Sequence, residues 1–321
     1  MTIKKAAFIG TVMSSYEALE ELLENQVGIT GVFTLDKAYS KGVSDYADLK
    51  PLCERFFVPY YTFRNVNDEH VIHKLRIMAP DYIFVIGLSQ LVKREILDLP
   101  PLGCIGAHPS LLPKGRGRAS LPWAIINEDK ISGMSVFYLE EGADSGAIIS
   151  QRQFTIHPNE TSKTLYNKAV CSLRDILKEI APHVKKGTVS ATPQSENLAT
   201  YTTKRIPTDG FINWETMSTH EIDRLIRATT YPYPGAYTYY KKKKLIIWEA
   251  SIVKSTEFIA IPGQILKVTE SQTVWIKTID GVLELKEVSY EGNNGISGDF
   301  ISLIGYKLGI NLAELIEELL S

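Results

Sequence analysis

Cysteine and long apolar runs are both scarce in this sequence. The three cysteines, Cys53, Cys104 and Cys171, are scattered without the spacing of metal-ligand or redox pairs. No segment approaches the run of about 18 apolar residues that spans a bilayer. The apolar stretch near the start is too short for a signal peptide and is typical of a first strand. We therefore expect a reduced, cytoplasmic protein that is not inserted in a membrane.

A surplus of positive charge is also missing. Lys and Arg number 35 against 37 Asp and Glu, which gives a net charge of -2 and a pI of about 6.3. Proteins that bind nucleic acid gain most of their affinity by neutralising phosphates. The charge balance therefore counts against nucleic acid as a partner. The lysine run at 241–244 is expected to be a solvated hairpin turn.

Several catalytic signatures are absent as well. The turn at 10–15 is not the G-x-G-x-x-G of dinucleotide-binding proteins, and no P-loop occurs. There is no G-x-S-x-G elbow and no His or Cys pair at metal-ligand spacing. Dinucleotide binding, acyl-serine chemistry and metal-dependent hydrolysis are thus not indicated, and no metal is expected.

The first half of the chain alternates strands and helices, which predicts an α/β domain over residues 1–203 with a doubly wound, Rossmann-like parallel sheet. The predicted strands are 5–10, 27–35, 81–86, the segment that ends at His108, 134–140 and 147–154. The predicted helices are 16–23, 46–56, 70–78, 119–126 and 162–185. The polar stretch that follows, up to Thr203, is expected to be a linker.

A second pattern begins at residue 204, where short strands with Gly and Asp turns predict a small β-barrel over 204–321. The predicted helix is 219–228, and the predicted strands are 236–240, 245–252, 264–268, 273–278 and 282–288. The tail, 300–320, carries apolar residues at helical spacing. We expect this tail to pack on the barrel as a helix, and the seam of a homodimer is the alternative.

The most informative segment runs from Gly103 to Arg118. Its start is apolar and strand-like, and His108 directly precedes a proline. Because a residue before proline is pushed toward extended geometry, His108 is expected to end a strand. In an open parallel sheet, ligands bind at that carboxyl end. A histidine packed beneath a loop is the alternative interpretation.

Asp144 lies further along, in the turn Gly142-Ala143-Asp144-Ser145-Gly146. Taken alone, such an Asp is a common turn former whose carboxylate caps nearby amides. One helix and one strand separate it from His108, which permits both side chains to reach the same rim. A carboxylate beside an imidazole suits acid–base work on an amine or a carbonyl.

Together these residues resemble a known signature. His108-Pro109-Ser110-Leu111-Leu112-Pro113, then Gly115-Arg116-Gly117 and the Asp144 turn, are similar to the 10-formyltetrahydrofolate-dependent formyltransferases. Stretches similar to the family's C-terminal, OB-like domain are 205–214, 227–228, 233–236 and 262–265. The resemblance covers nearly the whole chain. It implies transfer of a formyl group from N10 of 10-formyltetrahydrofolate to a substrate amine.

The family's catalytic trio is an Asn-x-His pair and a later Asp. The last two carry over to His108 and Asp144, but Gly106 stands at the position of the Asn. That amide helps to hold the oxygen of the tetrahedral intermediate, and losing one such donor typically costs about 2.7–4 kcal/mol. We expect a backbone N–H, a water in the vacated space or another residue to replace it. A slow or inactive protein is the alternative.

The resemblance also implies the binding residues. The folate pocket is expected at Leu88, Ser89, Gln90, Leu91 and Val92, with Glu140, Glu141, Gly142 and Ala143 on the other side. Backbone groups of 88–92 would bind the pterin edge between apolar walls, while ordinary core packing is the alternative for Leu91 and Val92. The candidate substrate contacts are Ser14, Ser15, Ser110 and Arg118. A guanidinium suits a phosphate, although Arg116 is expected to anchor the loop.

Two C-terminal segments indicate the chemical class of the formyl acceptor. Residues 205–210 and 233–236 resemble sugar N-formyltransferases more closely than methionyl-tRNA formyltransferase. We expect a nucleotide-linked amino sugar, such as a 4-amino-4,6-dideoxy sugar or a precursor of pseudaminic acid. The alternatives are methionyl-tRNA, a folate-binding protein without catalysis, and a hydrolase that gives the formyl group to water.

Overall fold

The computed structural model describes residues 3–254, 257–310, 316–317 and 320. Contacts divide the chain into two compact units. The first comprises the residues up to Leu121, with Lys130–Ile156 and Leu165–Lys204. The second comprises Pro122–Asp129, His157–Thr164 and the described residues from Arg205 onward. Among the described residues, no helix has the length and apolar character needed to cross a membrane.

The first unit is built on a seven-stranded sheet of order β3-β2-β1-β4-β5-β7-β8. Its elements are β1 (Lys5–Ile9), α1 (Met13–Glu24), β2 (Gly28–Leu35), α2 (Lys50–Arg55), β3 (Tyr60–Phe63), α3 (Glu69–Met78), β4 (Tyr82–Val85), α4 (Arg94–Leu97), β5 (Cys104–His108), β6 (Arg116–Gly117), α5 (Ser120–Ile126), β7 (Ile131–Tyr138), β8 (Ile148–Thr155), α6 (Ser162–Lys186) and β9 (Tyr201–Thr202). Part of α5 and the start of α6 belong to the segments Pro122–Asp129 and His157–Thr164 of the second unit. Strands β1 to β5 pair in parallel, and β7 and β8 extend the sheet antiparallel. The central strands β1 and β4 are buried apart from Lys5, as expected for strands covered on both faces. The predicted parallel α/β sheet is confirmed.

The second unit contains a six-stranded antiparallel sheet, in which β15 pairs with β14 beside the path β10-β11-β14-β13-β12. Its elements are α7 (Thr219–Thr229), β10 (Ala236–Tyr240), β11 (Lys243–Val253), β12 (Ile265–Val268), β13 (Val274–Lys277), β14 (Val282–Tyr290), β15 (Asn293–Ile296) and α8 (Ser297–Phe300). Apolar side chains of α7 and of the strands form one core, which includes Trp214, Leu225 and Leu285. The predicted small β domain is confirmed, and its strands pair antiparallel.

The predicted helix over 46–56 is longer than the one observed. The helix α2 covers only Lys50–Arg55, with Pro51 in its first turn, where a missing N–H costs nothing. The backbone of Asp45 is left-handed, with φ of +63°, and Tyr46 pairs with Val12 across an isolated bridge. These contacts hold residues 45–46 outside the helix.

The prediction of a terminal helix over 300–320 is wrong over residues 301–310. The helix α8 ends at Phe300, and no helix follows up to residue 310. Gly305 and Gly309 have φ of +82° and +112°, which a right-handed helix does not permit, and Leu308 is buried in the second unit's core. The remainder of this prediction, including the dimer seam, falls largely on residues 311–315 and 318–319, outside the described residues, while residues 316–317 and 320 are helical.

Residues 188–203, which we call the strap, are not the predicted linker. Thr192 pairs with Ile148, and β9 pairs in parallel with β6 in the loop that follows His108. The strap is polar because it binds through backbone and side-chain hydrogen bonds and not through a buried apolar face. It fastens the loop after His108 to the rest of the first unit.

The three thiols differ in accessibility. Cys53 and Cys104 are buried, and burial raises the pKa of each thiol to about 12, whereas Cys171 is exposed on α6. Because the thiolate is the reactive form, Ellman's reagent at about pH 8 should titrate Cys171 alone in the native protein and all three thiols after unfolding. Cys171→Ser should abolish the native reaction. A second thiol that reacts at a similar rate would contradict the burial of the other two.

Candidate active site

His108 is the last residue of β5, as the proline that follows it predicts. The residue is 7% exposed. Its Nε2 lies 2.8 Å from the carbonyl oxygen of Gly115, and its Nδ1 lies 3.5 Å from Oδ2 of Asp144. A carbonyl oxygen only accepts, so Nε2 carries the hydrogen of the neutral ring. The basic nitrogen, Nδ1, then faces the carboxylate.

Asp144 lies in the turn between β7 and β8 with a left-handed backbone, φ +52°. Such a conformation is uncommon, and Asp is among the residues that tolerate it best. Its Oδ2 accepts a hydrogen bond of 2.8 Å from the N–H of Gly117. The turn closes tightly, since a Cβ on Gly146 would lie 1.8 Å from the carbonyl oxygen of Tyr138. The structure thus brings the two predicted catalytic side chains together.

Gly106 lies two residues before His108, on the same face of β5. A Cβ at this position would lie 2.5 Å from Cδ2 of Leu139. The space beside Gly106 is therefore taken by an apolar side chain that has no hydrogen-bond donor. This corrects the expectation of a water in the vacated space. A backbone N–H and another residue are the replacements that stay open.

Residues 88–92, the predicted folate segment, connect β4 to α4. Leu88 and Val92 are half-buried against the first unit's core. Leu91 is 79% exposed, so the alternative of core packing is wrong for this residue. Two apolar side chains thus line the segment, and a third extends into solvent.

Hydrogen bonds hold this segment in place from two sides. The Gln90 side chain accepts from the N–H of Val66 at 2.7 Å and donates to the carbonyl oxygen of Arg64 at 2.9 Å. Nη2 of Arg118 donates to the carbonyl oxygen of Ser89 at 2.6 Å. The Gln90 side chain is therefore occupied within the protein, and Arg118 links the segment to the loop after His108.

The backbone of the same segment offers free donors. Among the residues that the structure describes, none accepts a hydrogen bond from the backbone N–H groups of 88–92. A row of free N–H groups beside half-buried Leu88 and Val92 suits the polar edge and flat face of a heterocycle. The residues present therefore fit the pterin of a folate.

The predicted second wall of the pocket, Glu140, Glu141, Gly142 and Ala143, is exposed. Oε1 of Glu141 lies 3.9 Å from Nη1 of Arg94, the first residue of α4. This ion pair joins the Asp144 turn to the helix that directly follows residues 88–92. The two predicted walls are thus neighbours in the structure.

The structure corrects the predicted role of Ser15 as a substrate contact. It is fully buried, and its hydroxyl accepts hydrogen bonds from the N–H groups of residues 11–12 and donates to the carbonyl oxygen of Ile86. The hydroxyl fixes the start of α1 and is not available to an acceptor. A buried hydroxyl with three partners is a structural group.

The other predicted substrate contacts are of two kinds, those buried within the protein and those accessible to a ligand. The Ser110 residue is 7% exposed, and its hydroxyl donates to the carbonyl oxygen of Lys114, so it holds the loop together. We correct its expected role accordingly. Ser14 is half-exposed, and its Oγ would lie 3.0 Å from a Cβ on Gly87, next to the 88–92 segment. The exposed Arg118 and the half-exposed Ser14 stay candidates for substrate contact.

Arg116 anchors the loop after His108. It is 1% exposed, and its guanidinium donates five hydrogen bonds, to Gln194, Glu196 and Tyr201 of the strap. The hydrogen bond to Glu196 raises the pKa of the Arg116 guanidinium, so the charge is fixed. These strap residues were missed by sequence reasoning, because nothing in a polar segment indicates its distant partner.

Two family models match this chain: formyl transferase over residues 4–178, and formyl transferase, C-terminal domain, over residues 205–302. The chain therefore belongs to the formyl transferase family. It is an enzyme that takes its formyl group from formyl-tetrahydrofolate.

Relatives of similar length carry one activity in their names. The methionyl-tRNA formyltransferase of Acetivibrio thermocellus is 29% identical over 307 residues, which is 95% of this chain and 97% of that protein. The methionyl-tRNA formyltransferase of Clostridium tetani is 32% identical over 289 residues, 89% of this chain and 92% of that protein.

Solved structures share the fold at low identity. HypX from Aquifex aeolicus, in complex with tetrahydrofolic acid, matches with a TM-score of 0.68 and 18% identity over 93% of this chain. The match covers 47% of HypX, so this chain spans less than half of that protein. The N-formyltransferase from Helicobacter canadensis, solved with folinic acid and dTDP-3-aminofucose, matches with a TM-score of 0.63 and 19% identity, over 88% of this chain and 98% of that one.

Proposed function

We propose that this formyltransferase acts on the amine of a nucleotide-linked amino sugar. The observation that carries the proposal is the charge of the C-terminal region. Residues 205–321 contain 12 Lys and Arg against 15 Asp and Glu. A domain that holds tRNA gains affinity by neutralising phosphates, so an acidic balance disfavours that partner and leaves a small acceptor.

The lysine run at 241–244 strengthens this argument. Residues 241 and 242 form the turn between β10 and β11, with φ of +49° and +60°, typical of a tight hairpin, and the other two lysines begin β11. Lys243 is paired with Glu291, and the ammonium groups of Lys241 and Lys244 lie 5.2 and 4.1 Å from the centres of tyrosine rings. These three cations have partners already, which they would have to give up to bind phosphates.

The first unit offers a group suited to a diphosphate. Arg118 is exposed and follows the loop after His108, and its Nη2 donates to the carbonyl oxygen of Ser89. The remaining N–H groups of a guanidinium match phosphate oxygens in pairs. The Helicobacter canadensis protein, which has this fold and was solved with dTDP-3-aminofucose, is consistent with such an acceptor.

The His108–Asp144 pair supports acid–base work in the transfer. The donor supplies an activated formyl carbon. As the C–N bond to the acceptor forms, the attacking nitrogen loses a proton, which Nδ1 of His108 receives beside the Asp144 carboxylate. The imidazolium, whose Nε2 keeps its hydrogen bond to the Gly115 carbonyl oxygen, stabilises the developing oxyanion through its positive charge. When the bond between the formyl carbon and N10 breaks, the proton that Nδ1 received passes to N10, which leaves as part of tetrahydrofolate.

Methionyl-tRNA is the second candidate acceptor, because the relatives at 29% and 32% identity are methionyl-tRNA formyltransferases. The test is to incubate the protein with 10-formyltetrahydrofolate and, separately, UDP- and dTDP-linked amino sugars, methionyl-tRNA or no acceptor. A formylated sugar supports our proposal, and formyl-methionyl-tRNA overturns it. Formate alone, or binding without turnover, also overturns it and points to a hydrolase or a folate-binding protein.

A further inference from the structure

We infer that Gln194, in the strap, is a positioning residue for the His108–Asp144 pair. The inference rests on the proposed roles of that pair. Gln194 itself touches neither imidazole nor carboxylate in the structure. It acts through the backbone of the Asp144 turn and through the Arg116 side chain.

The side-chain amide of Gln194 makes four hydrogen bonds. Its Nε2 donates to the carbonyl oxygens of Asp144 and Gly146, both at 2.7 Å. Its Oε1 accepts from Nε and Nη2 of Arg116, at 3.1 and 2.8 Å. A primary amide has two donors and two acceptor lone pairs, so every position is used.

The orientation of this amide is determined by its partners. Two carbonyl oxygens can only accept, and a guanidinium can only donate. A flipped amide would therefore lose all four hydrogen bonds. The side chain fits this place in one way, between the turn that carries Asp144 and the loop that follows His108.

Both neighbours of Arg116 in the chain contact the catalytic pair. The carbonyl oxygen of Gly115 lies 2.8 Å from Nε2 of His108, and the N–H of Gly117 donates to Oδ2 of Asp144 at 2.8 Å. Holding the Arg116 side chain therefore fixes the groups that orient both reactive side chains. Gln194 holds this arginine and the Asp144 backbone at once, so it sets the separation of 3.5 Å between Nδ1 and Oδ2.

The left-handed backbone of Asp144 gives this link a second purpose. Its φ of +52° is an uncommon conformation that persists only when surrounding contacts hold it. The Gln194 hydrogen bonds to the carbonyls of Asp144 and Gly146 enclose the turn just where this strain lies. Without them the turn is free to relax, and the carboxylate moves away from the ring.

Gln194→Glu tests the inference most sharply. The new carboxylate still accepts from Arg116 but has no hydrogen for the two turn carbonyls. We expect kcat to fall by about 100-fold, the size that a displacement of roughly 1 Å produces, with the KM for 10-formyltetrahydrofolate changed little. Gln194→Met, which removes the amide without adding charge, should likewise lower kcat and leave the KM for 10-formyltetrahydrofolate nearly unchanged. The matched control is Gln153→Glu, an exposed position on β8, which should behave as wild type.

A second measurement works without any acceptor. The ¹⁵N chemical shifts of the His108 ring report the hydrogen-bonding state of each nitrogen, and we expect the Nδ1 signal to move in both Gln194 variants but not in Gln153→Glu. A purely structural residue would lower the melting temperature and leave these signals and kcat unchanged in the folded protein; that result would overturn the inference. If the wild type formylates no acceptor, the proposed function fails, while the ring signals still decide the role of Gln194.

Discussion

Asp144→Asn is expected to lower kcat by about 10²- to 10⁴-fold, the usual contribution of a positioned acid–base pair. The asparagine keeps an oxygen for the N–H of Gly117, and Asn tolerates the left-handed backbone as well as Asp does. The fold should therefore survive, with a melting temperature close to that of the wild type. What the variant loses is the negative charge 3.5 Å from Nδ1 of His108.

His108→Ala should have an effect at least as large, because it removes both ring nitrogens from the site. The rate of tetrahydrofolate formation with the acceptor found in the screen measures it, and circular dichroism checks the fold. His73→Ala, at an exposed position of α3, is the control and should be neutral. Near-normal turnover in either active-site variant would exclude that residue from the reaction.

The second large effect is a gain of activity. Gly106→Asn combined with Leu139→Ala should raise kcat by about 100-fold or more, because it restores an amide donor for the oxyanion and opens the space it needs. Gly106→Asn alone should destabilise the protein by about 1–3 kcal/mol, since its Cβ would lie 2.5 Å from Leu139 Cδ2. Leu139→Ala alone should lose stability without gaining rate.

These variants form a double-mutant cycle, in which contacting residues are expected to be non-additive. The readouts are the midpoint of thermal unfolding and kcat with the identified acceptor. A double variant no faster than the wild type would show that another donor, such as a backbone N–H, already holds the oxyanion. Additive changes in stability would contradict the contact between positions 106 and 139.

Local signals in the sequence were sufficient for the reactive pair. Pro109 places His108 at the end of β5, and the glycine-flanked turn places Asp144 between β7 and β8. The apolar runs of the parallel strands and the short strands of the second unit are likewise features of neighbouring residues. Each of these predictions depends on patterns a few residues long, which a single sequence contains.

The contacts that sequence reasoning missed join distant residues. The strap was predicted to be a linker because its polar residues have partners more than 40 positions away, such as Gln194 with Asp144. Leu139 occupies the space beside Gly106 because of strand pairing, which no spacing indicates. Ser15 is a buried cap and not a ligand contact, since three partners surround its hydroxyl. Tertiary packing decides all three.

The parallel pairing of β6 with β9 has a consequence for how this protein is made. The loop after His108 is synthesised before the strap, so its hydrogen bonds to the strap form only once residue 202 has left the ribosome. A nascent chain that stops at α6 would contain His108 and Asp144 but lack the strap residues that bind Arg116. The last contacts of this loop are therefore made by the strap, which is synthesised late and contributes no reacting side chain.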